Sequence, residues 1–198
     1  ASMTLLAFAL LNRPAWAGVA LVAAAGVGFY PIFMTPAWVG FYWRDRRALA
    51  SFLAACTVAS VLLLTFVYQT SRPHGDQSRL QTFVSDTLGH HTDPDGYGRS
   101  PFGFWGQQTG WRAWLQEPLA GSSPMASPLW LAFFALLLLA GLVTPGRDPA
   151  ALALVLGAVA LGATLVKPHA TGTYLTWYYG LLLLGFGLPR FTWGHKKL

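Results

Sequence analysis

AWAGVALVAAAGVGFYPIFMTPAWVGFYW, Ala15 to Trp43, is the stretch on which the fold turns. It carries no charge and is interrupted at Pro31 and Pro36. Proline removes a helix hydrogen bond and its ring clashes with the preceding turn. The stretch therefore reads as one tilted, kinked helix or as a hairpin of two short helices turning at Gly28-Phe29-Tyr30-Pro31. Each arm of the hairpin would rise about 20 Å at ~1.5 Å per residue, short for a bilayer but suited to a bundle. We take the hairpin.

On its C-terminal side lies Arg44-Asp45-Arg46-Arg47, the densest cationic cluster in the chain. Such a cluster holds a lipid headgroup or phosphate, or it anchors a helix end on the cytoplasmic side. The anchor is the simpler reading. Ala48 to Tyr68, Pro128 to Thr144, Ala150 to Val166 and Thr173 to Leu188 then read as spanning helices, the last three joined by Pro- and Gly-containing turns. On the N-terminal side, Ala1 to Leu11 lacks the basic region that precedes the apolar run of a signal peptide. It is also shorter than the ~20 residues that cross a bilayer. It reads as the last turns of a longer helix, so the chain is expected to be a segment of a larger polytopic protein.

Composition agrees. Of 198 residues 54% are hydrophobic and 10% charged, against about 25% charged in soluble domains. The expected fold is an all-α integral membrane protein, a polytopic helical bundle of about six transmembrane segments with one long outer-face loop. Three regions follow: 1–68 with the helix remnant, hairpin and first long span; 69–127 as an extracytoplasmic loop; and 128–198 with three spans and a basic tail. The net charge of +6 does not mark a nucleic-acid partner. Its cations sit at the ends of apolar runs, with no basic stripe interleaved with aromatics. The single cysteine, Cys56, excludes an internal disulfide and a thiolate metal site and reads as a buried structural thiol.

Arg13, the Arg44 cluster, Arg147, Arg190, Lys196 and Lys197 fall on one side of this topology. Lys167 and the arginines dispersed through the long loop fall on the other. Positive-inside reasoning puts the first set in the cytoplasm. The loop and the Lys167 turn then share the outer face, and a bacterial cytoplasmic (inner) membrane is the expected location.

The loop, Gln69 to Ser127, concentrates the polar chemistry: five of the seven acids and three of the five histidines. Structureless connections this long are uncommon and are usually functional or disordered. Its aromatics argue against disorder. Trp111, Trp114 and Leu115 share one helical face, as in a helix lying in the headgroup region or packed over the bundle. His90-His91-Thr92-Asp93-Pro94-Asp95-Gly96 offers metal-binding side chains, but the turn preferences of Asp, Pro and Gly explain it without a metal. No metal and no cofactor is expected. Arg99 precedes Phe102, Phe104 and Trp105 among glycines. That segment suits a cleft lid with Arg99 gripping a phosphate, or ordinary loop packing. Lys167 and His169 begin a turn on the same face, followed by Tyr174, Trp177, Tyr178 and Tyr179. They form an interfacial aromatic belt, with or without contact to an anionic headgroup.

AGVALVAAAGVGFYPIFMTPAWVGFYWRDRRALASFLAA, from Ala17 on, resembles a stretch of the GT-C superfold glycosyltransferases. The likeness is closest to the bacterial mannosyltransferases that use polyprenyl-phosphate sugars. There a small-residue helix leads to a Lys-x-Tyr-Pro-like turn, a second apolar arm, an arginine cluster and another span. Lys167-Pro168-His169 through Tyr174-Leu175-Thr176-Trp177-Tyr178 is similar to the family's late turn, and Ser100-Pro101-Phe102 fits its outer loop. The resemblance implies sugar transfer from a polyprenyl-phosphate sugar donor at the outer face. Arg99, Lys167, His169 and Tyr174 would then be donor-phosphate or substrate contacts. Two positions depart from the family. Gly28 stands where its members carry lysine, and no acid here matches the catalytic acid of their first outer loop. Whether the chain acts as an enzyme therefore depends on an N-terminal half or a partner chain supplying that acid. The alternative is a non-catalytic multi-spanning subunit of a larger membrane complex, with membrane lipid and other membrane protein subunits as its partners. A transporter fits less well, because the spans hold almost no ionisable residues.

Overall fold

An α-helix that ran on through Pro31 would press the proline ring against the Val27 carbonyl, so helix α2, Pro14–Gly28, stops short of it. A 3-10 turn, Tyr30–Met34, follows, and then α3, Thr35–Tyr42. Pro36 sits in the first turn of α3, where a missing N–H costs least. The Ile32 carbonyl, which residue 36 cannot reach with an N–H, instead accepts from Thr35 Oγ1 at 2.7 Å.

The computed structural model describes residues 2–28, 30–73, 75–85, 127–144, 148–166 and 175–188. Among these every regular element is a helix. Besides α2 and α3 they are α1 (Ser2–Ala9), α4 (Arg46–Thr70), α5 (Arg79–Val84), α6 (Pro128–Val143), α7 (Pro149–Val166) and α8 (Leu175–Gly187).

The close contacts give each helix a direction. A Cβ at Gly18 would meet Phe52 and Cys56, and one at Gly26 would meet Leu63, so α2 and α4 run parallel. For both to do so, the chain must return between them. It does: Thr4 Oγ1 lies 3.5 Å from Tyr30 Oη, while Tyr42 Oη donates to the Leu11 carbonyl at 2.7 Å. The 3-10 turn and α3 thus carry the chain back alongside α1 to the level where α2 began. The hairpin is present, and its arms rise by similar amounts. Fifteen residues of α2 span about 22 Å, as do the five 3-10 and eight α-helical residues of the return at ~2.0 and ~1.5 Å each. The arms have different main partners: α2 packs on α4 and α1, and α3 on α6.

The second half repeats the up-and-down logic. Gly157 faces Leu182 and Gly185 faces Leu154, so α7 and α8 are antiparallel. Gly162 of α7 abuts Phe133 and Leu136 near the start of α6. Phe33 packs edge-on to Phe133 and Trp130 at centroid distances of 5.1 and 6.5 Å, joining the hairpin tip to the start of α6. At the other end of α3, a Cβ on Gly40 would collide with the Gly141 carbonyl and Thr144 Oγ1. Thr144 Oγ1 is 3.0 Å from the Ala37 carbonyl and 2.9 Å from that of Ala140. Its single proton is shared between the two helices.

Among the described residues two helices, α4 and α7, are long and apolar enough to cross a membrane. They measure about 37 and 27 Å, against a hydrocarbon core of about 30 Å. Their surroundings differ. α7 is the centre of the second half, with Leu152, Ala153, Leu156, Val159 and Ala160 fully buried. α4 buries only Phe52 and exposes Val58, Val61, Leu62, Leu64 and Phe66 by more than half. α2, α6 and α8 are apolar but shorter.

Gly40→Ala is expected to destabilise the α3–α6 crossing by about 1–3 kcal/mol, the usual cost of overpacking. The check is a lowered melting temperature of the purified protein in detergent. Gly187→Ala, where an added Cβ meets nothing within 4 Å, should leave that temperature unchanged.

Candidate functional site

Helix direction sorts the molecule into two ends. One gathers Leu11 to Pro14, Trp43 to Arg47, Thr144, and Asp148 with Pro149. The exposed side chains of Arg13, Arg44, Arg46 and Arg47 make it the arginine end. The other gathers the Tyr30 turn, the exit of α4, the entry to α6 at Ser127, the exit of α7 at Val166 and the entry to α8 at Leu175.

The residues singled out in the sequence for substrate contact lie outside the described residues. These are Arg99, Lys167, His169 and Tyr174, with Phe102, Phe104 and Trp105 of the lid. The His90 to Gly96 knot and the Trp111, Trp114 and Leu115 helix lie outside them too. What is described is how their segments are anchored. Ser71 caps the C-terminus of α4, its N–H and Oγ both donating to the Val67 carbonyl. The chain then forms α5, held by a capping box: Gln81 N–H donates to Ser78 Oγ at 3.3 Å, and Ser78 N–H to Gln81 Oε1 at 2.8 Å. Sequence reasoning passed over α5, although Ser78-x-x-Gln81 is its signature. Phe83 packs edge-on to Tyr68, and the Arg79 guanidinium lies 6.0 Å from the Tyr68 ring centroid, so α5 folds back against α4.

At the arginine end the described residues enclose a cleft of about 230 Å³. Leu11, Asn12 and Pro14 line it from the α1–α2 junction, Phe41 and Tyr42 from α3, Asp45 and Ala48 from the start of α4, and Pro149 from the start of α7. Behind Phe41 and Tyr42 lies an aromatic stack. The Trp38 ring lies nearly parallel to Phe52 and Tyr42, with centroids 5.8 and 5.9 Å away, and edge-on to Phe41. Trp38 is fully buried, and its Nε1 has no hydrogen-bond partner among the described residues. An orphaned donor costs about 1–3 kcal/mol. Three aromatic contacts at about 0.5–1.5 kcal/mol each offset it.

Both described acids at this end are engaged in helix starts. Asp45 Oδ1 accepts from Arg47 N–H at 3.1 Å and Ala48 N–H at 3.0 Å, and Asp148 Oδ1 accepts from Ala150 N–H at 3.0 Å. Cys56 Sγ packs against Gly18 between α2 and α4, but the residue is half-buried where the sequence pointed to a buried thiol.

No protein-family model, curated protein or solved structure matches the chain.

Tyr42→Phe removes the bond to the Leu11 carbonyl and should cost about 1 kcal/mol. Asp45→Ala removes the cap of α4 and should cost a similar ~1 kcal/mol, with Asp45→Asn nearer wild type because it keeps an acceptor. Chemical denaturation of the detergent-solubilised protein measures all three.

Proposed function

We propose that the chain is an integral membrane protein of about six spans and forms part of a GT-C-like glycosyltransferase. In this reading it transfers a sugar from a polyprenyl-phosphate donor at the outer face of a bacterial cytoplasmic membrane. One observation carries the proposal. The helix directions bring the exits and entries that flank the 86–126 stretch and the 167–174 turn to one end of the bundle. Arg13, Arg44, Arg46 and Arg47 are at the opposite end. Arg99 and Lys167 then belong to segments rooted in the same outer surface, where a lipid-borne phosphate would be presented to them. Arg99 grips the donor phosphate bidentately, and Lys167 neutralises the charge that grows on it as the sugar leaves. The acceptor hydroxyl loses its proton to a carboxylate from outside this chain.

A second reading has its own support. One face of α4 is apolar and exposed among the described residues, as expected of a helix that contacts lipid or a neighbouring membrane helix. A non-catalytic subunit would need that contact as much as an enzyme does. Stoichiometric copurification of partners without transferase activity would decide for the subunit.

For the enzyme reading, membranes carrying the intact gene product should transfer labelled sugar from a polyprenyl-phosphate donor. Arg99→Ala and Lys167→Ala should each lower the rate by roughly a hundredfold, the scale of losing one transition-state contact. Undiminished transfer by either variant removes that residue from the mechanism. For the topology, a cysteine introduced at Arg72 or Asp76, both exposed at the exit of α4, should react with an impermeant thiol reagent from outside the cell. One introduced at Arg44 should react only after permeabilisation.

A further inference from the structure

We infer that helix α5, Arg79–Val84, lies in the surface of a lipid bilayer at the end of the bundle opposite the arginine end, with Leu80 and Val84 set into the acyl-chain boundary. The inference rests on the membrane reading. It does not depend on sugar transfer.

The polarity of α5 is the reverse of that of a surface helix in water. Leu80 and Val84, one turn apart, are 59% and 44% exposed. Thr82 is buried, its hydroxyl donating to Gln77 Oε1 at 3.5 Å. Helical spacing puts Leu80 and Val84 on one stripe and Arg79 and Phe83 on the next. The second stripe is the one that meets α4: Phe83 lies edge-on to Tyr68, and the Arg79 guanidinium is 6.0 Å from the Tyr68 ring centroid. α4 is the main partner of α5 among the described residues. The fold thus uses Phe83 for packing and leaves two large apolar side chains turned outward. A helix with an apolar side and polar or cationic groups elsewhere is the kind that lies in a membrane interface.

The place of α5 along α4 makes a bilayer the occupant of that stripe. A Cβ on Gly26 would touch Leu63, and α2 ends at Gly28, so the last turn of α4, ending at Thr70, stands clear of α2. Tyr68 belongs to that turn. It stands about 30 Å along α4 from Ala48, the first residue after the Arg46-Arg47 pair, at ~1.5 Å per residue. A hydrocarbon core is also about 30 Å thick. With Arg46 and Arg47 in one headgroup layer, Tyr68 is therefore at the other, the level that tyrosine favours. α5 is fixed to Tyr68, so Leu80 and Val84 are held where acyl chains begin. The exposed Arg72 and Arg79 are then at the level of the lipid phosphates. Held in this way, α5 pins the exit of α4 at one depth.

The test uses the full chain in lipid nanodiscs, with Cys56 replaced by Ala and a nitroxide attached to one introduced cysteine at a time. Collision with oxygen reports acyl chains, and collision with a nickel chelate reports water. Labels at Leu80 and Val84 should favour oxygen, and labels at the exposed Asp76 and Ser85 should favour nickel. A label at Val61, on the exposed face of α4, should favour oxygen as well. Nickel-dominated collision at 80 and 84 overturns the proposal. So does shielding of both positions from both reagents, which identifies a protein as their cover. Nickel-dominated collision at Val61 would instead overturn the membrane reading itself, an outcome separable from failure at α5 in a chain whose α4 stays in lipid. A second measurement needs no label. Leu80→Gln combined with Val84→Gln should speed amide hydrogen exchange of α5 in nanodiscs roughly tenfold, the scale of two apolar side chains losing part of their contact with lipid. Gln matches Leu and exceeds Val in helix propensity, so a weakened helix is not the cause. Unchanged exchange in that variant overturns the proposal.

Discussion

The crossing of α3 over α6 holds the structure together. Gly40 and Gly141 have no side chain to keep the two backbones apart, and Thr144 Oγ1 sits within reach of carbonyls on both helices. The contact joins residues about a hundred positions apart and ties the hairpin half of the chain to the α6–α8 half. Close backbone approach through small residues, with a hydroxyl shared across the seam, is the packing mode available where burial from water does not drive association. Phe33 against Phe133 and Trp130 repeats the join at the opposite end of α3. With both ends of α3 held, α2 and α4 are placed by the hairpin and by their contacts at Gly18 and Gly26.

α4 and α7 are similar in composition and opposite in circumstance. α7 buries half its length among helices, as a soluble core helix would. α4 has one buried residue and a surface of Val, Leu and Phe. Water would penalise that surface by about 25 cal/mol per Å². A lipid or helical neighbour removes the penalty. The membrane reading is therefore carried more by α4 than by α7, although both are long enough to span.

The two sites differ in how far they could be read along the chain. Prolines at 31 and 36, the cation clusters and the lengths of the apolar runs announced the hairpin and most of the helix boundaries to within a few residues. The capping box of α5 was written at Ser78 and Gln81 and was overlooked within a stretch read as loop. The arginine-end cleft was not legible. Its walls, Leu11, Asn12, Pro14, Tyr42, Ala48 and Pro149, look like unremarkable helix ends. Only the packed bundle shows that they meet.

The sequence by itself determined that the chain is helical, where the helices start and stop, and which ends carry the arginines, because each depends on neighbours a few positions away. Proline geometry, caps and runs of apolar residues act at that range. Tertiary structure alone decided that α2 and α4 run parallel and that α3 finds its main partner in α6 instead of α2. It also decided that, among the described residues, α4 buries only Phe52 and that Asp45 and Asp148 serve as helix caps beside exposed arginines. Those outcomes depend on which glycine faces which carbonyl across tens to a hundred residues of sequence, and no local preference encodes that match.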